Sequence, residues 1–215
     1  MKISASFLSI KDNLKENIEI LDKTNIDYLH LDIMDGEFVN NKTYSIDDIK
    51  GLLGNTNKPK DVHLMVSDVI NYINDFKQLN PEFITFHLEA IDNPNEIISY
   101  LKQLNIKVGI SVKPNTNVDT ILPYLSDIDL ILIMSVEPGL GGQEFIKDVV
   151  SKIDYLKKLK KEKNYNYVIE VDGGINDQTI NYCQNADIVV VGSYITNSDN
   201  YQTQVDKLLK NISSF

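Results

Sequence analysis

The sequence contains no tryptophan and no arginine, and only one of its 215 residues is a cysteine. The lone Cys183 excludes an intrachain disulfide and a cysteine-rich zinc site, and it favours a reducing, cytoplasmic setting. Nowhere do about 18 consecutive apolar residues occur, and no apolar leader opens the chain, so neither a transmembrane helix nor a signal segment is expected. Without arginine no guanidinium fork can bind a phosphate or carboxylate, so backbone N–H groups or lysines must do so.

The charge balance restricts the partners. Lysines number 21 against 31 acidic residues, for a formal net charge of -10. An acidic surface of this kind argues against nucleic acid and against anionic membrane as partners. A small anionic substrate remains compatible, provided that its charge is met inside a site. A homo-oligomer is compatible with a domain of this size, although no distinct apolar seam stands out.

Short apolar runs alternate with amphipathic, lysine-rich stretches along the whole chain. Solid aliphatic runs such as Leu130–Ile133 suit parallel strands that are covered on both faces. Eight such units predict a compact (β/α)₈ TIM barrel that forms one domain over residues 1–215. A doubly wound open sheet is the alternative, but polar residues follow many different strands rather than one switch point. The predicted strands are Lys2–Phe7, Tyr28–Met34, Asp61–Val66, Phe83–His87, Lys107–Val112, Leu130–Val136, Tyr167–Val171 and Ile188–Val191.

Two histidines and two aspartates predict a metal site. Side chains alternate between the faces of a strand, so His30 and Asp32 share one face of the second strand while aliphatic residues occupy the other. His63 holds the corresponding place on the third strand, and Asp172 follows the seventh. Unpaired imidazoles and carboxylates are costly to bury, and one divalent ion would compensate them. Nitrogen and oxygen ligands suit Zn²⁺, Fe²⁺, Mn²⁺ or Co²⁺.

Other polar and sulfur-containing side chains lie near the strand ends. Met34, Met65 and Met134 lie at a similar depth in their strands and predict a soft apolar lining around the metal site. His87 and Glu89 are expected to pair with each other or to support a ligand without touching substrate.

Glycine concentrates after the last three strands. Glycine permits close backbone approach and positive φ, so these turns can direct N–H groups at an anion. The loops after strands seven and eight are a recurring phosphate site in this type of barrel. Ser193 can donate to the same phosphate, and Ser6 can bind substrate. The glycines concerned are Gly139, Gly141, Gly142, Gly173, Gly174 and Gly192.

The ordered set of motifs resembles the ribulose-phosphate 3-epimerase family over nearly the whole chain. Any one motif is weak, whereas the set at these spacings is highly specific. The matching segments are Ser6–Ser9, His30–Gly36, Asp61–Val66, Thr85–Ala90, Met134–Gln143, Val171–Ile175 and Val191–Ser193.

The resemblance implies a (β/α)₈ barrel with one divalent ion held by His30, Asp32, His63 and Asp172. It makes Asp32 and Asp172 the two acid/base residues, with the three methionines as a wall around the reaction intermediate. It also implies phosphate contacts from Gly141, Gly142, Gly173, Gly174, Gly192 and Ser193. Further substrate contacts are expected from Ser6, His63, Gly139 and Gln143.

The implied activity is that of an isomerase. It would interconvert D-ribulose 5-phosphate and D-xylulose 5-phosphate in the pentose phosphate pathway, by proton transfer at C3 through an enediolate. The alternatives are a D-allulose 6-phosphate 3-epimerase and a catalytically silent barrel that binds sugar phosphates. An orotidine-phosphate decarboxylase would need lysines that Leu31–Asp35 lacks. Asn40 and Leu140 depart from the family pattern and concern the loops over the substrate rather than the metal site.

Overall fold

Eight parallel strands close into a barrel in the computed structural model, which describes residues 1–215. The last strand pairs with the first, with Lys2 opposite Ile188 and Ala5 opposite Val191. This closure confirms the predicted (β/α)₈ barrel and excludes the open doubly wound sheet. The strands are β1 Lys2–Ser6, β2 Tyr28–Met34, β3 Lys60–Met65, β4 Phe83–His87, β5 Lys107–Val112, β6 Leu130–Met134, β7 Val168–Asp172 and β8 Ile188–Val191.

The connections between strands are less uniform than one α-helix each. After β5 the chain forms a 3₁₀ helix, Val118–Tyr124, and Pro123 within it has no N–H for an α-helical hydrogen bond. Between β7 and β8 the 3₁₀ helix Thr179–Cys183 is the only helix. None of the helices combines the length and apolar character needed to cross a bilayer. The α-helices are α1 Leu14–Asp22, α2 Ile46–Leu53, α3 Val69–Phe76, α4 Pro94–Gln103, α5 Val150–Lys163, α6 Ser193–Thr196 and α7 Tyr201–Ile212.

The main core lies between the barrel and the helices. The aliphatic residues of β2, Leu29, Leu31 and Ile33, are fully buried in one cluster with Ile18 and Leu21 of α1. Full burial of each such side chain stabilises the fold by about 1.5–3 kcal/mol. The outer faces of the strands therefore pack against the helices, and the polar side chains of the predicted site lie on the inner faces.

The interior of the barrel is apolar at one end and polar at the other. Tyr28 and Phe83 meet edge to face near the amino-terminal end, with ring centroids 5.9 Å apart. At the carboxyl end the strand register places Asp32 opposite His63, and Met134 opposite Asp172. The register thus places Asp32 beside His63, at the end where barrel enzymes carry their active sites.

Candidate metal centre and active site

The four predicted metal ligands meet at the carboxyl end of the barrel. Each of His30, Asp32, His63 and Asp172 offers one ligand atom, and these atoms lie within 4.8 Å of one another. Asp32 Oδ1 lies 3.4 Å from both His30 Nε2 and His63 Nδ1. Asp172 Oδ2 lies 3.8 Å from His30 Nε2 and 3.6 Å from His63 Nδ1.

The chemistry of this set fits a divalent cation. The Nε2 atom of His30 and the Nδ1 atom of His63 are buried without a hydrogen-bond partner. Their distances to the carboxylates are too long for good hydrogen bonds. They match instead the spacing of roughly 3.4 Å expected between ligands about 2.1 Å from a tetrahedral ion. An ion at this point would satisfy both orphaned nitrogens and both oxygens.

Ser6 and Asp61 orient two of these ligands. Ser6 Oγ donates to Asp32 Oδ2 at 2.6 Å, which leaves Oδ1 facing the histidines. Asp61 Oδ2 lies 2.7 Å from His30 Nδ1 and accepts from Ser4 Oγ at 2.8 Å. Burial lowers the pKa of His30, but Asp61 and Asp32 more than reverse this and hold it well above its usual range. Sequence reasoning missed the role of Asp61, although alternation already placed it on the same face as His63.

The second histidine ligand has a different support. His63 Nε2 lies 2.9 Å from His87 Nε2, and His87 Nδ1 lies 3.2 Å from Glu89 Oε2. The expected pairing of His87 with Glu89 is therefore present. Burial lowers the pKa of His87 to about 4. Burial raises the pKa of Glu89, but hydrogen bonds with His87 and Thr116 lower it to about 2.

Glu170 is a fully buried carboxyl that the sequence reasoning also missed. It lies on the inner face of β7, and one of its oxygens is within 4.8 Å of ligand atoms of His30 and Asp61. Burial and the neighbouring charge of Asp61 raise the pKa of Glu170 well above its usual range. His30 and Asp61 are in direct contact, which leaves no space for an ion between them. The cluster of His30, Asp61 and Glu170 therefore orients the ligand His30 and is not a second metal site.

The carboxyl groups of Asp32 and Asp172 have opposite electrostatic surroundings. Burial raises the pKa of both, but His30 and His63 bring the pKa of Asp32 well below its usual range. For Asp172, burial and the nearby charge of Asp32 raise the pKa to about 6. In the metal-free protein the two groups therefore differ in proton affinity, as an acid and a base must.

A cavity of about 550 Å³ lies above the four ligands. Its walls contain no lysine, so any anion that it binds must be held by N–H and O–H donors. His63 is fully buried and does not line the cavity. The other predicted substrate contacts all line it: Ser6, Met34, Met65, Met134, Gly139, Gly141, Gly142, Gln143, Gly173, Gly174, Gly192 and Ser193.

Two glycines bring the loops of this cavity together. Gly174 has φ +65°, and a Cβ there would lie 2.5 Å from the backbone nitrogen of Phe145. Gly173 has φ +124°, and a Cβ there would lie 2.4 Å from the side chain of Val136. The loops after β6 and β7 can therefore touch only because both positions are glycine. Gln143 Nε2 donates to the carbonyls of Glu137 and Leu140, so this side chain also braces the loop.

Comparison with known proteins identifies relatives over nearly the whole chain. The sequence model of the ribulose-phosphate 3 epimerase family matches residues 2–196. The ribulose-phosphate 3-epimerase of Methanocaldococcus jannaschii is 38% identical over 211 residues, which cover 97% of this chain and 89% of the relative. That of Helicobacter pylori strain J99 is 37% identical over 210 residues, which cover 97% of this chain and 96% of the relative.

Solved structures with the same architecture are more distant in sequence. The 3-hexulose-6-phosphate synthase of Salmonella typhimurium superposes with a TM-score of 0.69 at 17% identity, covering 100% of this chain and 99% of that one. The orotidine 5'-monophosphate decarboxylase of Sulfolobus solfataricus gives 0.64 at 12% identity, covering 99% of each chain. At these identities the similarity is one of fold alone.

Proposed function

The chain belongs to the ribulose-phosphate 3-epimerase family and is an isomerase of the epimerase type, and we propose that it interconverts D-ribulose 5-phosphate and D-xylulose 5-phosphate. Family membership confirms the resemblance drawn from the sequence. One observation carries the proposal: two carboxylates and two imidazoles meet beneath a cavity whose rim is formed by glycine-rich loops. A small sugar phosphate suits such a cavity, and the reaction belongs to the pentose phosphate pathway.

The proton transfer at C3 falls to the two aspartates. Inversion requires that a proton leave one face of the carbon and that another arrive on the opposite face. Asp32 lies on β2 and Asp172 ends β7, with β1 and β8 between them in the barrel. In each direction one carboxylate removes the C3 proton while the other, initially protonated, returns one to the opposite face. The planar enediolate lies between these two transfers.

The same four residues that meet in the structure are proposed to hold one divalent ion, which is Zn²⁺, Fe²⁺, Mn²⁺ or Co²⁺ on the chemistry of the ligands. When bound, such an ion supplies Lewis-acid stabilisation of negative charge on the substrate oxygens. Ser6 keeps Asp32 in position by donating to its second oxygen.

The remaining walls exclude water and bind the phosphate. Met34, Met65 and Met134 are each nearly fully buried and present an apolar surface to the cavity. This surface protects the enediolate from solvent protons. We assign the phosphate to Ser193 and to backbone N–H groups of the glycine loops after β6, β7 and β8, since no cationic side chain lines the cavity.

The proposal is tested by a coupled assay with ribulose 5-phosphate and a defined metal. Asp172→Asn should lower turnover by about 10²–10⁴-fold, the usual worth of a general acid or base. Asp177→Asn, at an exposed position in the same loop, is the matched control and should retain turnover. Circular dichroism checks that both variants are folded. Near-normal turnover of Asp172→Asn would remove this residue from the mechanism.

Two further measurements complete the test. Chelation should inactivate the enzyme, and adding back a divalent ion should restore it; full activity in thoroughly metal-free protein would contradict the role of the ion. Turnover of D-allulose 6-phosphate, measured beside ribulose 5-phosphate, decides between the five-carbon and six-carbon substrates. Absence of turnover with either sugar would favour a silent binding barrel.

A further inference from the structure

The ring of His63 is fully buried, and each of its nitrogens has a different neighbour. Nδ1 faces the carboxylates of Asp32 and Asp172 and has no hydrogen-bond partner. Nε2 lies 2.9 Å from Nε2 of His87. Two neutral imidazole nitrogens at this distance share one proton, so one of them donates and the other accepts.

A metal ion on Nδ1 decides which nitrogen donates. A ligand nitrogen offers its lone pair to the metal, so the proton of neutral His63 must be on Nε2. Nε2 of His87 then accepts this proton, and the proton of His87 must be on its Nδ1. That nitrogen lies 3.2 Å from Glu89 Oε2, a carboxylate oxygen that can only accept. Every nitrogen of the pair thereby has one assigned role.

Glu89 is itself held by the loop after β5. Its Oε1 accepts from the backbone N–H of Lys113 at 2.7 Å and also from Thr116 Oγ1. Lys152 of α5 donates to the carbonyls of Pro114 and Thr116, both at 2.6 Å, which holds this loop in turn. The carboxylate therefore cannot turn away from His87 without breaking contacts on its other side.

The loop after β2 covers His87 from outside. The ring of Phe38 lies over His87, with centroids 4.9 Å apart, and Lys113 Nζ lies 4.3 Å from the centroid of Phe38. His87 is fully buried, so water cannot replace either of its two hydrogen-bond partners. The contacts from Glu89 through His87 to His63 are therefore made between protein groups, without water.

We propose that His87 and Glu89 are positioning residues that present Nδ1 of His63, with its lone pair free, to the metal ion. This inference rests on the proposed function, since it assumes that His63 binds the ion. Neither residue lines the cavity, so their effect on the reaction passes through His63. The chain of contacts runs from Glu89 to His87 to His63.

Metal affinity, measured by competition of Zn²⁺ with a chromophoric chelator, tests the proposal. His87→Leu removes the acceptor and strands the buried N–H of His63, so affinity should fall by about 10–100-fold. His87→Gln is the matched variant, since its amide oxygen can accept from His63 while its NH₂ group donates to Glu89; it should recover most of the affinity. Glu89→Gln replaces one acceptor by a donor and should weaken binding in the same direction. Unchanged affinity in His87→Leu, or equal losses in the Leu and Gln variants, would overturn the proposal.

Nitrogen NMR of the histidine rings in the zinc-loaded wild type provides a test that needs no variant to fold. The expected spectrum has the proton of His63 on Nε2 and that of His87 on Nδ1. A proton on Nε2 of His87 would overturn the inference and leave the proposed function intact. If the wild type binds no zinc, or binds it equally well after Asp32→Asn, the metal site and this inference both fail.

Discussion

Replacing Gly174 by alanine tests whether contact between two loops shapes the phosphate site. Gly174 follows β7 at φ +65°, and an added Cβ would lie 2.5 Å from the backbone nitrogen of Phe145 and 2.9 Å from the carbonyl oxygen of Gln143. These are backbone atoms, so the loop after β6 must move away. We expect the KM for ribulose 5-phosphate to rise about 10-fold or more, since each 1.4 kcal/mol of lost binding is a factor of ten.

Gly142→Ala is the matched control in the loop that would be displaced. Gly142 also has positive φ, +75°, but no atom lies within 4 Å of an added Cβ. Both variants carry the penalty of about 1–2 kcal/mol for a left-handed non-glycine residue. For a protein of this size each kcal/mol lowers Tm by about 2–4 °C. Only Gly174→Ala adds a clash with backbone.

The assay compares KM, Tm and zinc affinity for the two variants. KM should rise clearly more in Gly174→Ala than in Gly142→Ala, with the greater loss of Tm in the former. Zinc affinity should change less than KM in both, because three of the four proposed ligands, His30, Asp32 and His63, lie on β2 and β3 rather than beside these loops. Equal KM values in the two variants would refute the reasoning that contact between the loops positions the phosphate donors.

Two further predictions concern the groups around the ligands. Asp172 has a folded pKa raised to about 6, so metal-free protein binds this proton more tightly when folded and loses stability as pH rises from about 4 to about 6. Asp172→Asn should therefore raise the Tm of metal-free protein above pH 6 and not at pH 4; a difference independent of pH would contradict this. Asp61→Leu leaves the buried N–H of His30 without an acceptor and should weaken zinc binding about 10–100-fold. Asp61→Asn keeps an acceptor and should have a smaller effect. Competition with a chelator measures the zinc affinity of both variants, and equal losses would count against the role of Asp61.

The sequence predicts which face of each strand is aliphatic and which is polar, because this pattern depends only on local alternation. In β2 a period of two separates Leu31 and Ile33 from His30 and Asp32, and that period can be read from a single strand. Helix α2, Ile46–Leu53, also carries a local signal at its start. Its terminus is stabilised by reciprocal hydrogen bonds between Ser45 and Asp48, a capping box.

Features that depend on contacts between strands are not predictable in this way. The pairing of His30 with Asp61 follows from the register of β2 on β3, which no single strand reveals. The strand ends show the same limit, since β3 is Lys60–Met65 and β7 is Val168–Asp172, each one residue from the prediction. The contact between His63 and His87 likewise needs the pairing of β3 with β4.

The absence of lysine from the cavity wall has a kinetic consequence. The protein carries a formal charge of -10, and no lysine in the cavity wall offsets it for an approaching phosphate ester. The net negative charge of the protein therefore repels the phosphate ester at long range. Attraction begins only at short range, where the phosphate meets the N–H and O–H donors of the cavity. Added salt, which screens repulsion beyond a Debye length of about 10 Å at 0.1 M, should speed capture rather than slow it. In an enzyme that binds its anionic substrate with arginine side chains, added salt would slow binding instead.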